Sequence, residues 1–240
     1  MSVTCETASR PPMNGGLTVL RELTHRRLAS PGAVEVAIPP ELRRARDRTG
    51  LRTLEAAAWR VGEPAFAECR TVSILGPGTE VLNTMIFPTA PDGPPVFAAE
   101  LLVFGGLPRL AFIDLQTPGA GAAMRRRAFE ESLAARSRVA LPNCEEPAPE
   151  WAVHWSAGAP LHSRPESVEA VGEMVRAYDV YLDAWLALID GGDRSAEPDA
   201  AEQLARYKRS HVAHSPGTQF LSRLFGPDWT RRFLNEFLYA

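Results

Sequence analysis

A chain of 240 residues with 45% hydrophobic and 23% charged residues can bury one sizeable core, and nothing in those proportions calls for a second domain. The net charge of -3 argues against a generic nucleic-acid binder, whose affinity rests on a large basic excess. Three cysteines, Cys5, Cys69 and Cys144, are odd in number and far apart, which suits neither a disulfide framework nor a zinc or iron–sulfur cage.

Residues 1–14 are polar, contain prolines and lack the basic-then-apolar run of a secretory signal, so they read as a flexible leader ahead of one domain over residues 15–240. No apolar stretch approaches the ~18 residues that a membrane span requires. A cytoplasmic, monomeric protein with free thiols is the expectation. Residues 17–29 place Leu17, Leu20, Leu23 and Leu28 at near-helical spacing, and Pro31-Gly32 stops the run.

The middle of the chain changes period. Residues 66–75, 79–87, 96–104 and 109–116 are strand-length runs, separated by Gly76-Pro77-Gly78, by residues 90–95 and by Gly105-Gly106. Connections this short force antiparallel neighbours, because a parallel return needs a crossover of a dozen residues or more. The run Val96 to Phe104 is apolar at nearly every position, as a strand covered on both faces requires. Helical patterns follow at 124–138, 167–189, 217–225 and 229–239, with a Pro- and Trp-rich connection over 140–164 and a polar loop over 191–198. The predicted fold is therefore α/β, a three-layer α/β/α sandwich around a central antiparallel sheet.

Two polar residues break this apolar pattern. With the turn centred near Pro91-Asp92, Asn83 lies opposite Glu100 on one face of the hairpin. A carboxyl in such a strand either gains partners or has its pKa raised, and a raised pKa is what a proton donor needs at neutral pH. Glu100 is thus a candidate acid, with a sheet-edge or arginine-paired carboxylate as the equally open alternative. Asp114, also inside a strand, reads first as a hydrogen-bonded strand-end carboxylate.

Other motifs carry less. Gly119-Ala120-Gly121 follows a strand and precedes a helix, yet a Pro-rich stretch replaces the second strand of a Rossmann unit. A flavin or nicotinamide enzyme resting on that stretch is a weak rival. His211 and His214 are three apart without a third ligand at metal spacing. No Gly-x-Ser-x-Gly elbow, Walker loop or Cys–His pair stands out. The arginine clusters near 43–48, 125–127 and 206–209 read individually as solvated faces, and together as able to meet carboxylates or an acidic protein.

Three stretches, Val81-Leu82-Asn83-Thr84-Met85-Ile86-Phe87-Pro88, Pro95-Val96-Phe97-Ala98-Ala99-Glu100 and Ala111-Phe112-Ile113-Asp114-Leu115-Gln116, resemble successive sheet motifs of the ferredoxin-dependent bilin reductases. Trp155-Ser156, Tyr207, Ser215-Pro216 and Phe225-Gly226-Pro227-Asp228-Trp229 extend the resemblance over residues 55 to 240. It implies a bilin held between the sheet and the C-terminal helices, no bound cofactor, and electrons delivered singly by a transient partner, reduced ferredoxin, with protons from protein groups or ordered water.

By the same resemblance Glu100 falls where the family usually has a proton-donating aspartate. Asn83 falls where the phycoerythrobilin-forming branch has asparagine and the phycocyanobilin-forming branch has histidine. Ser215 replaces a second aspartate, which argues for one two-electron step. His214 and Ser215 are expected to line the C-terminal wall, Arg164, Arg136 and Lys208 to meet the propionates, and Phe97 and Met85 to contact the substrate. The rival readings are a reductase of another open-chain tetrapyrrole, such as a chlorophyll breakdown product, and a non-catalytic bilin carrier.

Overall fold

The computed structural model describes residues 16–90, 92–189 and 196–240. Residues 1–15, which include the predicted leader over 1–14, together with Pro91 and residues 190–195, lie outside the described residues. The centre is an eight-stranded sheet of β1 (Ala33–Glu35), β2 (Arg44–Arg46), β3 (Thr53–Val61), β4 (Ala67–Gly76), β5 (Thr79–Pro88), β6 (Val96–Phe104), β7 (Leu107–Gln116) and β8 (Leu161–Ser163). The order is β1-β3-β4-β5-β6-β7-β8, with β2 beside β1 on the same edge of β3, and every pairing is antiparallel. The tight turns read from the sequence thus do make neighbours of successive strands.

The helices are α1 (Val19–Ala29), α2 (Pro40–Arg43), α3 (Ala122–Ser137), α4 (Glu150–Val153), α5 (Ala170–Ala187), α6 (Ala200–His214), α7 (Pro216–Phe225) and α8 (Pro227–Phe233), the last continued by a wider π-type turn over Leu234–Leu238. Because side chains alternate along a strand, each strand feeds two cores. Phe97, Ala99, Leu101, Ile113 and Leu115 pack under α1, α3 and α5. Val72, Val81, Met85, Phe87 and Ala98 pack under α6, α7 and α8. This is the α/β/α sandwich expected from the near-continuous apolar runs. Each fully buried large side chain contributes about 1.5–3 kcal/mol of transfer free energy.

The face under α5 is closed with its polar tips engaged. Trp185 Nε1 donates to Pro95 O at 2.7 Å, Tyr181 Oη donates to Ala159 O at 2.8 Å, and Tyr178 Oη lies 2.6 Å from Thr24 Oγ1 and 3.1 Å from Thr84 Oγ1. On the opposite face, the chain reverses between α6 and α7 at Ser215, whose Oγ accepts from Gly217 N at 3.2 Å and caps α7, with Pro216 in its first turn. Gly226, at φ +94°, makes the break between α7 and α8 in a backbone region that other residues rarely adopt.

Besides the short elements β1, β2, α2, α4 and β8, two long ones escaped the sequence reading. β3 runs through Ala56-Ala57-Ala58, a residue type depleted in strands, and is stabilised by pairing along its whole length with β4. α6 buries only Ala200, Tyr207 and His211, so its apolar stripe is too thin to stand out among charged residues. Glycine 119, considered above as part of a nucleotide loop, serves packing instead: a Cβ there would lie 2.5 Å from Ala200 Cα at the start of α6.

Candidate active site

The register places the predicted hairpin pair as expected. Asn83 on β5 is directly opposite Glu100 on β6, Glu100 is opposite Phe112 on β7, and Phe112 is opposite His162 on β8. One row of side chains, Asn83, Glu100, Phe112 and His162, therefore crosses four strands on the face toward α7.

Over this row lies a cleft of two lobes. The larger, about 420 Å³, is bounded by Val81, Glu100, Leu102, Phe112, His162, Arg164 and Phe220, with the Glu146–Pro147 connection as its outer wall. The smaller, about 40 Å³, is bounded by Val72, Ile74, Asn83, Ser215, Thr218 and Tyr239. Val81, Glu100, Gly217 and Phe220 belong to both, so the lobes meet at the Glu100 carboxyl. A largely apolar cleft with a few convergent polar groups is the usual form of a small-molecule site.

Glu100 is half-buried and makes no hydrogen bond or ion pair among the described residues. Loss of hydration among Val81, Leu102, Phe112 and Phe220 raises its pKa above the ordinary 4.5. Of the two readings left open by the sequence, the sheet-edge or arginine-paired carboxylate is not what the structure shows: Glu100 lies between β5 and β7, with no arginine partner among the described residues. The first turn of α7 is close by, since a Cβ on Gly217 would stand 3.7 Å from Glu100 Oε1. Asn83 Oδ1 is cut off from solvent without a hydrogen-bond partner among the described residues. Tyr239 on the smaller lobe is held protonated, first by burial and then by the nearby Glu100.

Arg164 stands at the mouth of the larger lobe, its guanidinium 2.7 Å from the Glu146 carboxylate, both well exposed. An exposed pair of this kind is worth little and exchanges readily for another anion. Ser215 lines the smaller lobe, as expected of the C-terminal wall, while its Oγ also caps α7.

The other predicted contacts need correction. Phe97 lies three residues from Glu100, an odd step that turns it to the opposite face, where it meets Tyr178 edge-on at 5.4 Å. Met85 shares the face of Asn83 but sits two residues further along, packed into the core beneath the C-terminal helices and outside both lobes. Arg136 ends α3 in the far layer, donating to Val139 O at 3.1 Å and Leu141 O at 2.9 Å, where it caps the chain that follows the helix. Lys208 donates to Ala240 O at 2.5 Å and lies 4.8 Å above the Phe87 ring, away from the cleft. His214 is exposed at the end of α6, its Nδ1 2.9 Å from Ser210 O, and lines neither lobe.

His162, Phe112, Phe220 and Tyr239 were missed. Phe112 was not readable from the turn, because a bulge between Leu102 and Val103 shifts the register by one; the Gly105-Gly106 turn, with Phe104 opposite Leu107, would by itself set Ala111 opposite Glu100. Nor was His162, because β8 is three residues long and hidden in the Pro-rich connection. Asp114 is also more than a strand-end carboxylate. It is fully buried on the cleft side of β7, accepts from Ser156 Oγ at 3.0 Å, and leaves its other oxygen without a partner. Burial, opposed by the Ser156 bond, pushes its pKa up to about 8.

The two-faced antiparallel sheet carries an unpaired carboxyl in an apolar cleft, the usual form of a small-molecule site; among the described residues no group of three or more His, Cys, Asp or Glu side chains is placed to hold a metal ion. The sequence model for ferredoxin-dependent bilin reductases matches residues 21–240, and the chain belongs to that family of oxidoreductases. It is 25% identical over 215 residues to the 15,16-dihydrobiliverdin:ferredoxin oxidoreductase of Parasynechococcus marenigrum, covering 87% of this chain and 91% of that protein. It is 26% identical over 192 residues to the phycoerythrobilin:ferredoxin oxidoreductase of Gloeobacter violaceus, covering 77% of each. In fold it is similar to tomato phytochromobilin synthase, solved in complex with biliverdin, with a TM-score of 0.74 at 18% identity over 91% of this chain and 82% of that one. No described helix is long and apolar enough to cross a membrane.

Proposed function

We propose that the chain reduces a linear tetrapyrrole, biliverdin or a dihydrobiliverdin, with electrons supplied one at a time by reduced ferredoxin, in a single two-electron step. The observation that carries this reading is the Glu100 carboxyl, unpaired among the described residues and with its pKa raised by burial, where the two lobes of the cleft meet. Reducing one double bond of a conjugated chain takes two electrons and two protons. A carboxylic acid kept neutral near pH 7 is a proton donor matched to each protonation once an electron has made the pigment basic.

In this reading the pigment lies against the sheet beneath α7, with its conjugated system on Phe112, Leu102 and Phe220. Asn83, whose Oδ1 has no partner among the described residues, accepts from a pyrrole N–H or an ordered water. Arg164 exchanges Glu146 for a propionate at the mouth of the cleft. After each transfer Glu100 is recharged from water, to which the half-buried carboxyl still has access.

A non-catalytic carrier is the second reading, favoured by one observation: the position lining the smaller lobe at 215 holds a serine, already engaged in capping α7 and without an ionisable proton near neutral pH. Anaerobic incubation with ferredoxin, a ferredoxin reductase and biliverdin or 15,16-dihydrobiliverdin separates the two. Loss of the substrate band with growth of a band at shorter wavelength is expected. A bound pigment that stays unchanged under reducing conditions assigns the carrier role, and absence of any binding overturns both.

A further inference from the structure

His162 ends the row that begins at Asn83, two strands from Glu100 on the same face. With neighbouring strands ~4.8 Å apart, the two backbones are separated by roughly 10 Å. The side chain is 7% exposed, bounds the larger lobe, and meets Phe112 edge-on at 6.2 Å. Its Nδ1 is cut off from water and has no hydrogen-bond partner among the described residues.

The other buried histidine shows what a core imidazole ordinarily does: His211 Nδ1 lies 3.0 Å from Tyr207 O, a carbonyl that can only accept. His162 has no such carbonyl among the described residues. Its own backbone is occupied elsewhere, the N–H by Asn143 Oδ1 at 3.0 Å and the C=O by Cys144 N at 2.7 Å, which fixes β8 against the connection and leaves the ring as the group without an assignment. Burial, reinforced by Arg164, lowers the ring's pKa, so it is neutral and offers one donor and one acceptor.

We infer that His162 is a positioning residue of the cleft, whose neutral ring hydrogen-bonds a neutral polar group at one end of the tetrapyrrole and so fixes which carbons of the conjugated chain lie over Glu100. The inference rests on the bilin reading of the cleft. A linear tetrapyrrole carries lactam C=O and N–H groups at its two ends, and a half-turn of the imidazole about its χ2 bond exchanges the nitrogen presented to them. Arg164 cannot do this work, because an exposed guanidinium on a long side chain selects carboxylates by charge and holds no fixed distance from Glu100.

The test compares full-length His162→Leu and His162→Gln with wild type in the anaerobic ferredoxin assay, with biliverdin binding measured separately. His162→Leu is expected to bind biliverdin within about threefold of wild type, while kcat falls at least about tenfold or the product divides between positional isomers resolved by chromatography; His162→Gln, which keeps a donor and an acceptor, restores a single product. Unchanged kcat and an unchanged single product in His162→Leu overturn the assignment and leave the bilin reading standing. Wild type that neither binds nor reduces the pigment overturns both. If the leucine variant fails to fold, the ring ¹⁵N resonances of His162 in wild type decide: they shift when biliverdin is added, and resonances that stay in place overturn the assignment.

Discussion

The two faces of the central sheet are built from alternate residues of the same strands, yet they do opposite things. Toward α1, α3 and α5 the sheet is closed: Phe97, Leu101 and Ile113 are buried, and Tyr178, Tyr181 and Trp185 each place a polar tip on a partner, although Thr71 Oγ1 on the sheet and Arg127 Nη1 on α3 are among the buried atoms left without a hydrogen bond. Toward α7 the same strands present Glu100 without a partner, Asn83 Oδ1 and His162 Nδ1 unsatisfied, and about 420 Å³ of open space beside them. A buried polar atom left unpaired costs about 1–3 kcal/mol. The closed face offsets that cost, which is how a fold can keep an under-satisfied site.

The comparison can be broken most severely at its two centres. On the open face Glu100→Gln removes the proton but keeps the shape; turnover should fall about 10²–10⁴-fold while pigment binding and the unfolding midpoint hold, as steady-state rates and a denaturant titration would reveal. On the closed face Phe97→Ala should cost about 3–5 kcal/mol of stability, seen as a lower denaturant midpoint, with pigment still bound by the fraction that remains folded. A Phe97→Ala protein as stable as wild type would contradict the division of labour between the faces.

Asp114 sharpens the contrast through pH. Its folded pKa of about 8 exceeds the ordinary 3.8, so the native state holds a proton that the unfolded chain releases between those values. Stability contributed at low pH is therefore lost as pH rises from about 4 to about 8. Asp114→Asn, which mimics the protonated acid, should flatten that decline when unfolding is measured at pH 5 and pH 8, and an undiminished slope would count against a neutral Asp114. The smallest effects belong to the rim. Arg164→Ala should weaken biliverdin binding by about 1 kcal/mol without moving stability, and Ser215→Ala should cost about 1 kcal/mol of stability through the lost cap of α7. Calorimetry on each pair distinguishes them.

Much of the open face was legible because strands have period two and the β5–β6 connection is short. That was enough to set Asn83 opposite Glu100. The same parity argument would have excluded Phe97, three residues from Glu100, whereas Phe112 reaches the cleft face only through the bulge between Leu102 and Val103, which the turn does not announce. Met85 has the right parity and still misses the cleft, because how far a cavity extends along a strand is set by the helices laid over it. Arg136 and Lys208 were misplaced for a related reason: the position of a basic residue on a helix follows from helix packing, which charge patterning does not encode. His162 was beyond reach, since three residues of β8 carry no periodic signal and acquire their register only by docking on β7.

The account turns on the state of one carboxyl. Carbon-detected NMR of the Glu100 side chain in labelled protein, assigned by loss of the signal in Glu100→Gln and followed across a pH series, reads that state without substrate or ferredoxin. The account predicts a midpoint above the ordinary glutamate value of 4.5. A carboxyl that titrates at or below that value would be an ordinary solvated anion at neutral pH, and the proton-donor role assigned to it would be wrong.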